Sequence, residues 1–437
     1  MSKDSKEFDL VIFGASGLTG RYAIEELARS VVKFPDIKWA VAGRNAEKLR
    51  EALVIVQEYL SDETDIRGTQ MILADSQDPT SIYKMCQRTK LLLNCVGPYN
   101  LCGGEMIAST CVECKTHSID ISAEIKYLDT VLANYFEQAR NNGVYIIEAC
   151  GFGSLPADYG ITLLMKKFSG GLNSVEYFAE FGEGPSGKPI GCGTYLSIVD
   201  SLVDYLKPAK FEKEVEEKVF KKMPNKLKQP NSKYDDFRDL SMTYSYKERS
   251  WCVKYFGPDE RSIKRSQMIR ASYLNSEEYI EVQGYLKFPS LYEALRHFFV
   301  IIFSIFMSLF SVGRILMKKY PYFFSAGLFS KEGPSRQQIM ESFTKVTFYA
   351  DGWEKKVSDS EKQVGKPDKK IKLTITGPEV GYVLTTMCMV QAALTVLHDS
   401  DKMPFKGGVY TPGVAFENTR LQDRLEKRGM TFTFEDI

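Results

Sequence analysis

Asp9-Leu10-Val11-Ile12-Phe13-Gly14-Ala15-Ser16-Gly17-Leu18-Thr19-Gly20 is the stretch that decides the fold. A short apolar run passes directly into three evenly spaced glycines, and a helical pattern follows from about Leu18 to Lys33. Strand, glycine turn and helix, in that order, make a phosphate-binding turn. Gly14 allows the tight turn, Gly17 lets a pyrophosphate approach the backbone, and Gly20 lets the helix pack closely on the strand. Ser16, Leu18 and Thr19 complete the turn and carry N–H groups at the helix start, where anions bind. A purely structural turn has the same spacing, so the stretch needs its context.

The context is supplied downstream. Ile37–Ala42, Gln70–Ala74, Leu91–Val96, Ser118–Ile121 and Val144–Ala149 read as further strands, separated by helical patterns. Leu91-Leu92-Leu93 is apolar without alternation, as a sheet buried on both faces requires. The expected fold class is therefore α/β, with an N-terminal Rossmann-type doubly wound parallel sheet and ligand chemistry at the strand C-termini. From Val175 the pattern changes to alternation. Tyr244–Tyr255, Tyr279–Phe288, Phe343–Ala350 and Lys370–Thr376 join it as strands of a second, mixed α+β domain. The expected division is 1–170 for the dinucleotide-binding domain and 171–376 for the second domain. Residues 377–437 are then a C-terminal segment returning to the first domain.

Cofactor choice is written at the end of the second strand. NAD sites usually place an acid there, whereas this chain has Gly43-Arg44-Asn45 and, one turn on, Lys48. Arg44 is suited to stack on adenine and pair with a 2′-phosphate, which makes NADP(H) the expected cofactor. A solvated loop arginine is the plainer alternative. Asp75 ends the third strand, placed for the adenine amine. Asn94, Gly97 and Pro98 end the fourth, where the pyrophosphate or nicotinamide ribose would lie.

Bulk properties set limits. The 437 residues suit about two domains. Lys plus Arg number 57 against 56 acids, so no global field is available to hold nucleic acid. The charged start runs straight into a strand without a signal-peptide pattern, which places the first domain on the cytosolic side as an expectation. Nine irregularly spaced cysteines read as reduced thiols. Cys111, Cys114 and His117 have no second ligand pair spaced to complete a zinc site, so no metal is expected. His398, at the end of a long helix, reads as a cation favoured by the helix dipole.

None of the 24 tyrosines has Lys four residues on, so the Tyr-x-x-x-Lys pair of short-chain dehydrogenases is absent. Candidate proton donors at the sheet edge are Tyr99, Asp120, Glu124, Glu148 and Cys150, with Tyr99 first because it follows the rigid Gly97-Pro98 turn. Its alternative role is to pack on the cofactor. Lys207–Lys233 is lysine-rich and proline-interrupted, which reads as a solvated loop with a short helix, a contact with anionic headgroups being the alternative. Phe298–Gly313 carries no charge at all. As a helix it spans roughly 24 Å, short of the ~30 Å hydrocarbon core. Ser304, Ser308 and Ser311 fall on one face in line with His297 and Lys318, a narrow polar stripe that suits a helix lying in a membrane or lipid-droplet interface, or a hairpin dipping into one leaflet, better than a spanning helix. A buried core helix, or one covered in a homodimer, is the alternative.

With these residues laid out, the chain resembles the saccharopine dehydrogenase-like oxidoreductase family. The segments that carry the likeness are Gly14–Gly20, Ala42–Arg44, Asn94–Tyr99, Asp120–Glu124, Cys150–Asp158, Gly377–Tyr382 and Gly407–Gly413. Gly153 stands where members often carry Asp, and the amino-acid-binding residues of true saccharopine reductases have no counterpart in the middle region. The resemblance implies hydride transfer on a lipid-like or otherwise hydrophobic substrate at the cytosolic face of membranes or lipid droplets. An inactive nucleotide-binding scaffold at the same surface is the alternative.

Overall fold

The computed structural model describes residues 6–60, 64–187, 190–205, 215–220, 242–274, 276, 279–330, 332–355 and 366–437. Most of the lysine-rich stretch expected as a loop at 207–233 lies outside them, apart from a helical turn at 215–219. The chain divides into two compact units. The first comprises Met1–Gly153, Lys210–Val219 and Gly381–Arg428, the second Ser154–Ala209, Phe220–Val380 and Gly429–Ile437.

The first unit holds strands β1 (Phe8–Phe13), β2 (Trp39–Gly43), β3 (Gln70–Leu73), β4 (Thr89–Asn94), β5 (His117–Asp120) and β6 (Tyr145–Ile147). They form one parallel sheet in the order β15-β6-β5-β4-β1-β2-β3, in which β15 is Gly408–Tyr410 from near the C-terminus. Leu10, Val11 and Ile12 of β1 and Leu91, Leu92 and Leu93 of β4 are wholly buried, which is why their apolar runs do not alternate. The connection order reverses between β1 and β4, and ligands of such sheets bind outside the strand ends at that point. The C-terminal helix Thr385–Asp399 is tied to the first helix, Leu18–Val31, by a buried network. Gln391 Nε2 donates to Glu26 Oε1 at 2.7 Å and to Ser30 Oγ at 2.9 Å, while Arg428 grips both oxygens of Glu26 at 2.8 Å.

The second unit is built on a seven-stranded mixed sheet, β16-β14-β13-β7-β11-β10-β9. Its strands are β7 (Leu172–Gly182), β9 (Met242–Ser245), β10 (Ser250–Lys254), β11 (Glu281–Phe288), β13 (Phe343–Gly352), β14 (Lys369–Pro378) and β16 (Thr431–Asp436). Among the described residues of this sheet, only the β11–β7 pairing is parallel. The single strand expected at Tyr244–Tyr255 is a hairpin of β9 and β10. Two short strands, β8 (Ile190–Gly191) and β12 (Phe329–Ser330), pair separately.

Two boundaries differ from those expected. The helix Leu155–Lys167, placed by the sequence in the dinucleotide domain, belongs to the second unit. Its Gly160 lies so close to the Phe348 ring of β13 that a Cβ would sit 2.8 Å away. The last strand, expected to return to the first sheet, instead pairs antiparallel with β14.

Against Leu155–Lys167 packs a helix with almost no apolar signal, Asp259–Tyr273. Its buried face carries many polar groups, and several of them find partners across the seam. Ser266 Oγ donates to Asp158 Oδ1 at 2.6 Å, Arg270 to Thr162 Oγ1 at 2.8 Å, and Ser262 pairs with Ser154 at 2.9 Å. Burial lifts the Asp259 carboxyl to about 8, with the Tyr177 hydroxyl 3.3 Å away.

The uncharged stretch 298–313 is not one helix. Leu291–Ser308 ends at Leu309 and a second helix, Ser311–Lys319, follows at once, then a short turn, Pro321–Phe324. Two of the three serines of the stripe are turned inward, whereas Ser311 is exposed. Ser304 and Ser308 are buried, His297 packs on Phe288 at 4.8 Å, and Lys318 pairs with Asp200. Beneath lies a small core of Tyr195, Val199, Met317 and Phe329. The apolar side chains face out, with Phe299 62%, Val312 68%, Ile315 63% and Phe323 75% exposed.

Candidate functional site: a dinucleotide cradle

Gly14 takes a positive φ of 84°, open only to glycine without strain, and it lies against the end of β4, where a Cβ would meet Val96 at 2.9 Å. Gly17 N donates to Gly14 O at 3.0 Å, closing the turn, and Gly17 becomes the N-cap of the helix Leu18–Val31. No side chain caps this helix and no acid stands in its first turn. The next two helices are capped, by Asn45 and Asp78. The first helix thus keeps its positive end and its free N–H groups for a ligand, which is the fit an anionic pyrophosphate requires. Gly20 closes the turn from inside: a Cβ there would lie 2.3 Å from Gly14 O.

At the end of β2, Arg44 and Lys48 are exposed, and no ion pair among the described residues uses either. The Asn45 side chain accepts from Lys48 N at 3.0 Å, fixing the turn that presents both cations. Asp75 stands beside them after β3, half-buried, its Oδ1 accepting from Gln77 N. The structure therefore brings Gly14–Gly20, Arg44, Lys48, Asp75 and Asn94–Pro98 to one edge of one sheet. Asn94 itself is buried and spends its side-chain oxygen on Val96 N at 3.0 Å, shaping the loop.

Arg21 was not legible in the sequence as a site residue. It stands one turn into the uncapped helix, is half-buried, and its Nε is buried without a hydrogen bond. Helix side chains lean toward the N-terminus, so Arg21 is aimed back over the turn that would hold the phosphates. A lone arginine in a first helical turn reads as surface charge, and only the unsatisfied N–H reveals it.

Tyr99, the first candidate for proton transfer, is buried just past the end of β4. Its hydroxyl donates to Asn94 O at 2.7 Å and accepts from Ile121 N at 3.2 Å, so the phenol ties β4 to β5. Burial, with Asp120 nearby, holds it well above its ordinary pKa. In this arrangement both the donor and the acceptor side of the hydroxyl are engaged within the fold. The neighbouring acids are spent in the same way. Glu124 accepts from Tyr99 N and Asn100 N at 2.8 and 2.9 Å, and Asp120 accepts from the Tyr127 hydroxyl, Ser122 N and Ala149 N. Burial lifts Asp120 to about 6 in spite of those donors.

The histidines do no site chemistry here. His117 Nδ1 accepts from Tyr145 N at 3.0 Å, and burial pushes the ring down to about 4. His398 stacks on Phe34 at 4.7 Å, and burial and Arg424 lower its pKa, which works against the helix-end cation expected.

An uncapped glycine turn at the switch point of a parallel sheet, with cations in place of an acid at the end of the second strand, defines a dinucleotide-binding protein of the NADP(H) type. The Saccharopine dehydrogenase NADP binding domain family matches residues 10–147. The chain is 36% identical over 436 residues to a saccharopine dehydrogenase-like oxidoreductase of Rattus norvegicus, covering 99% of this chain and 98% of the relative. It is 33% identical to the "Lipid droplet localized protein" of Caenorhabditis elegans, covering 98% of both chains. The fold is shared with saccharopine dehydrogenase (L-Glu forming) from Saccharomyces cerevisiae, at a TM-score of 0.53 and 13% identity over 98% of this chain and all of that one. The chain belongs to the saccharopine dehydrogenase-like oxidoreductase family.

Proposed function

We propose that the protein is an NADP(H)-dependent oxidoreductase acting on a hydrophobic, lipid-like substrate at the cytosolic surface of lipid droplets or membranes. The observation that carries the cofactor half is the uncapped start of the helix Leu18–Val31, with Arg44 and Lys48 unpaired at the neighbouring strand end. Backbone N–H groups after Gly17 and the Arg21 guanidinium hold the pyrophosphate, and Arg44 holds the 2′-phosphate. The bound nucleotide supplies or accepts the hydride, so the protein's part is orientation and at most one proton transfer. The lipid half is supported by the outward-facing apolar hairpin and by the name of the Caenorhabditis elegans relative.

A nucleotide-binding scaffold is the second reading, favoured by one observation. Tyr99, Asp120 and Glu124, three of the candidate proton donors at the sheet edge, are all engaged in hydrogen bonds within the fold. The two readings part in one assay. Wild-type protein with NADPH and dispersed long-chain aldehydes, ketones and enoyl thioesters is followed at the reduced-nicotinamide absorbance band. Consumption well above the protein-free rate, abolished by Arg44→Asp at limiting NADPH, is expected of the enzyme. Tight NADPH binding with no consumption across that panel would establish the scaffold.

A further inference from the structure

At the foot of the apolar hairpin lies a cavity of about 430 Å³, lined chiefly by Lys319, Tyr320, Tyr322, Phe323, Ser330 and Glu332. Three aromatic rings form its walls, and all three belong to the exposed apolar face, Tyr320 at 49% and Tyr322 at 67% exposure. One cation and one anion complete it. Lys319 Nζ sits 5.4 Å from the centre of the Tyr320 ring, and no ion pair among the described residues uses Lys319 or Glu332. Lysine and tyrosine are the residue types that settle at the headgroup level of a lipid surface.

The lining is electrically balanced, which suits neither a purely anionic nor a purely apolar guest. Aromatic walls with one carboxylate are the means by which proteins hold a quaternary ammonium, a cation that cannot donate hydrogen bonds and is drawn to ring faces. An ammonium and a hydroxyl, from Lys319 and Ser330, suit a phosphate. We propose that this cup seats a phospholipid headgroup in which a phosphate is joined to a quaternary ammonium, that is, phosphocholine on a lipid surface. The cup gives the apolar hairpin a headgroup preference. This rests on the lipid-surface reading above.

The test is flotation of the full-length protein with vesicles that differ only in headgroup: phosphatidylcholine, phosphatidylethanolamine and phosphatidylglycerol with the same acyl chains. Wild type is expected to bind phosphatidylcholine about three- to tenfold better than phosphatidylethanolamine, the scale of one to two cation–π contacts. Tyr322→Leu keeps the apolar area and removes a ring face; Glu332→Gln removes the charge. Each is expected to erase the preference while leaving vesicle binding in place. Free phosphocholine is expected to erase it in wild type as well. Binding that is equal for all headgroups, or strongest for phosphatidylglycerol, overturns the cup alone. Failure to bind any vesicle overturns the lipid-surface reading and the cup with it.

Discussion

Gly20→Ala is expected to abolish NADPH binding and to destabilise the first unit. The added Cβ would lie 2.3 Å from Gly14 O, 2.7 Å from Ala15 Cα and 2.9 Å from Ala15 C, all of them backbone atoms. No side chain can rotate away, so the helix Leu18–Val31 must back off from the turn. Overpacking of this kind costs about 1–3 kcal/mol of stability. The larger effect is on the ligand. The N–H groups after Gly17 and the loop behind them lose their common aim, and charged hydrogen bonds of about 1.5–3 kcal/mol each are at stake. Losing two lowers NADPH affinity at least about 100-fold. Gly68→Ala is the control, because nothing lies within 4 Å of a Cβ there. Calorimetric titration and thermal melting check both numbers. A Gly20→Ala protein that binds NADPH like wild type would place the nucleotide elsewhere.

The second large effect concerns the hairpin. Replacing Phe299, Phe306, Val312 and Ile315 together by Ser is expected to remove vesicle and oil-emulsion binding while leaving NADPH binding intact. All four are more than half exposed, so they support little of the fold, and surface changes of this kind stay within about 0.5 kcal/mol each. In a lipid surface each would bury apolar area worth roughly 1.5 kcal/mol or more. Four such losses lower partitioning by at least about 1,000-fold. The helix Leu291–Ser308 is long and apolar enough to cross a membrane, yet only 17% of it is buried within the protein, against 78% for the similarly apolar Val380–Lys402. The latter is a core helix by that contrast. The former carries Glu293, Arg296 and His297 in its first two turns and is followed by a break at Leu309, so it suits shallow insertion better than spanning. Unchanged flotation of the fourfold variant would mean that another surface holds the lipid.

How far the sequence could be read follows from which forces leave a pattern. The parallel sheet was legible because β1 and β4 are buried on both faces and so are apolar without interruption. The glycine turn was legible because only glycine tolerates the positive φ of Gly14 and the closeness of Gly20 to Gly14 O. The helix Asp259–Tyr273 left no such trace. Its buried positions include Ser262, Arg265, Ser266, Gln267 and Arg270, which hydropathy periodicity assigns to solvent. Its partners are Ser154, Asp158 and Thr162, about a hundred residues earlier, and no local pattern announces them. Periodicity also found the stripe of Ser304 and Ser308 without saying which side the protein lies on. A helix in solvent and one facing lipid carry the same period with opposite sense. Tyr99 illustrates a third limit. Following a rigid turn marks a residue as well placed, but whether its hydroxyl is spare depends on Asn94 O and Ile121 N, which only the folded chain brings to it.

The most direct test of the central claim is calorimetric titration of the purified protein with NADPH and with NADH, repeated on Arg44→Asp. NADPH should bind the wild type more tightly than NADH. Arg44→Asp should lower NADPH affinity at least about tenfold, the worth of a charge-assisted pair with the 2′-phosphate, and leave NADH within about threefold. Equal binding of the two nucleotides by wild type, or an Arg44→Asp protein that still prefers NADPH, would contradict the assignment of this turn as an NADP(H) site.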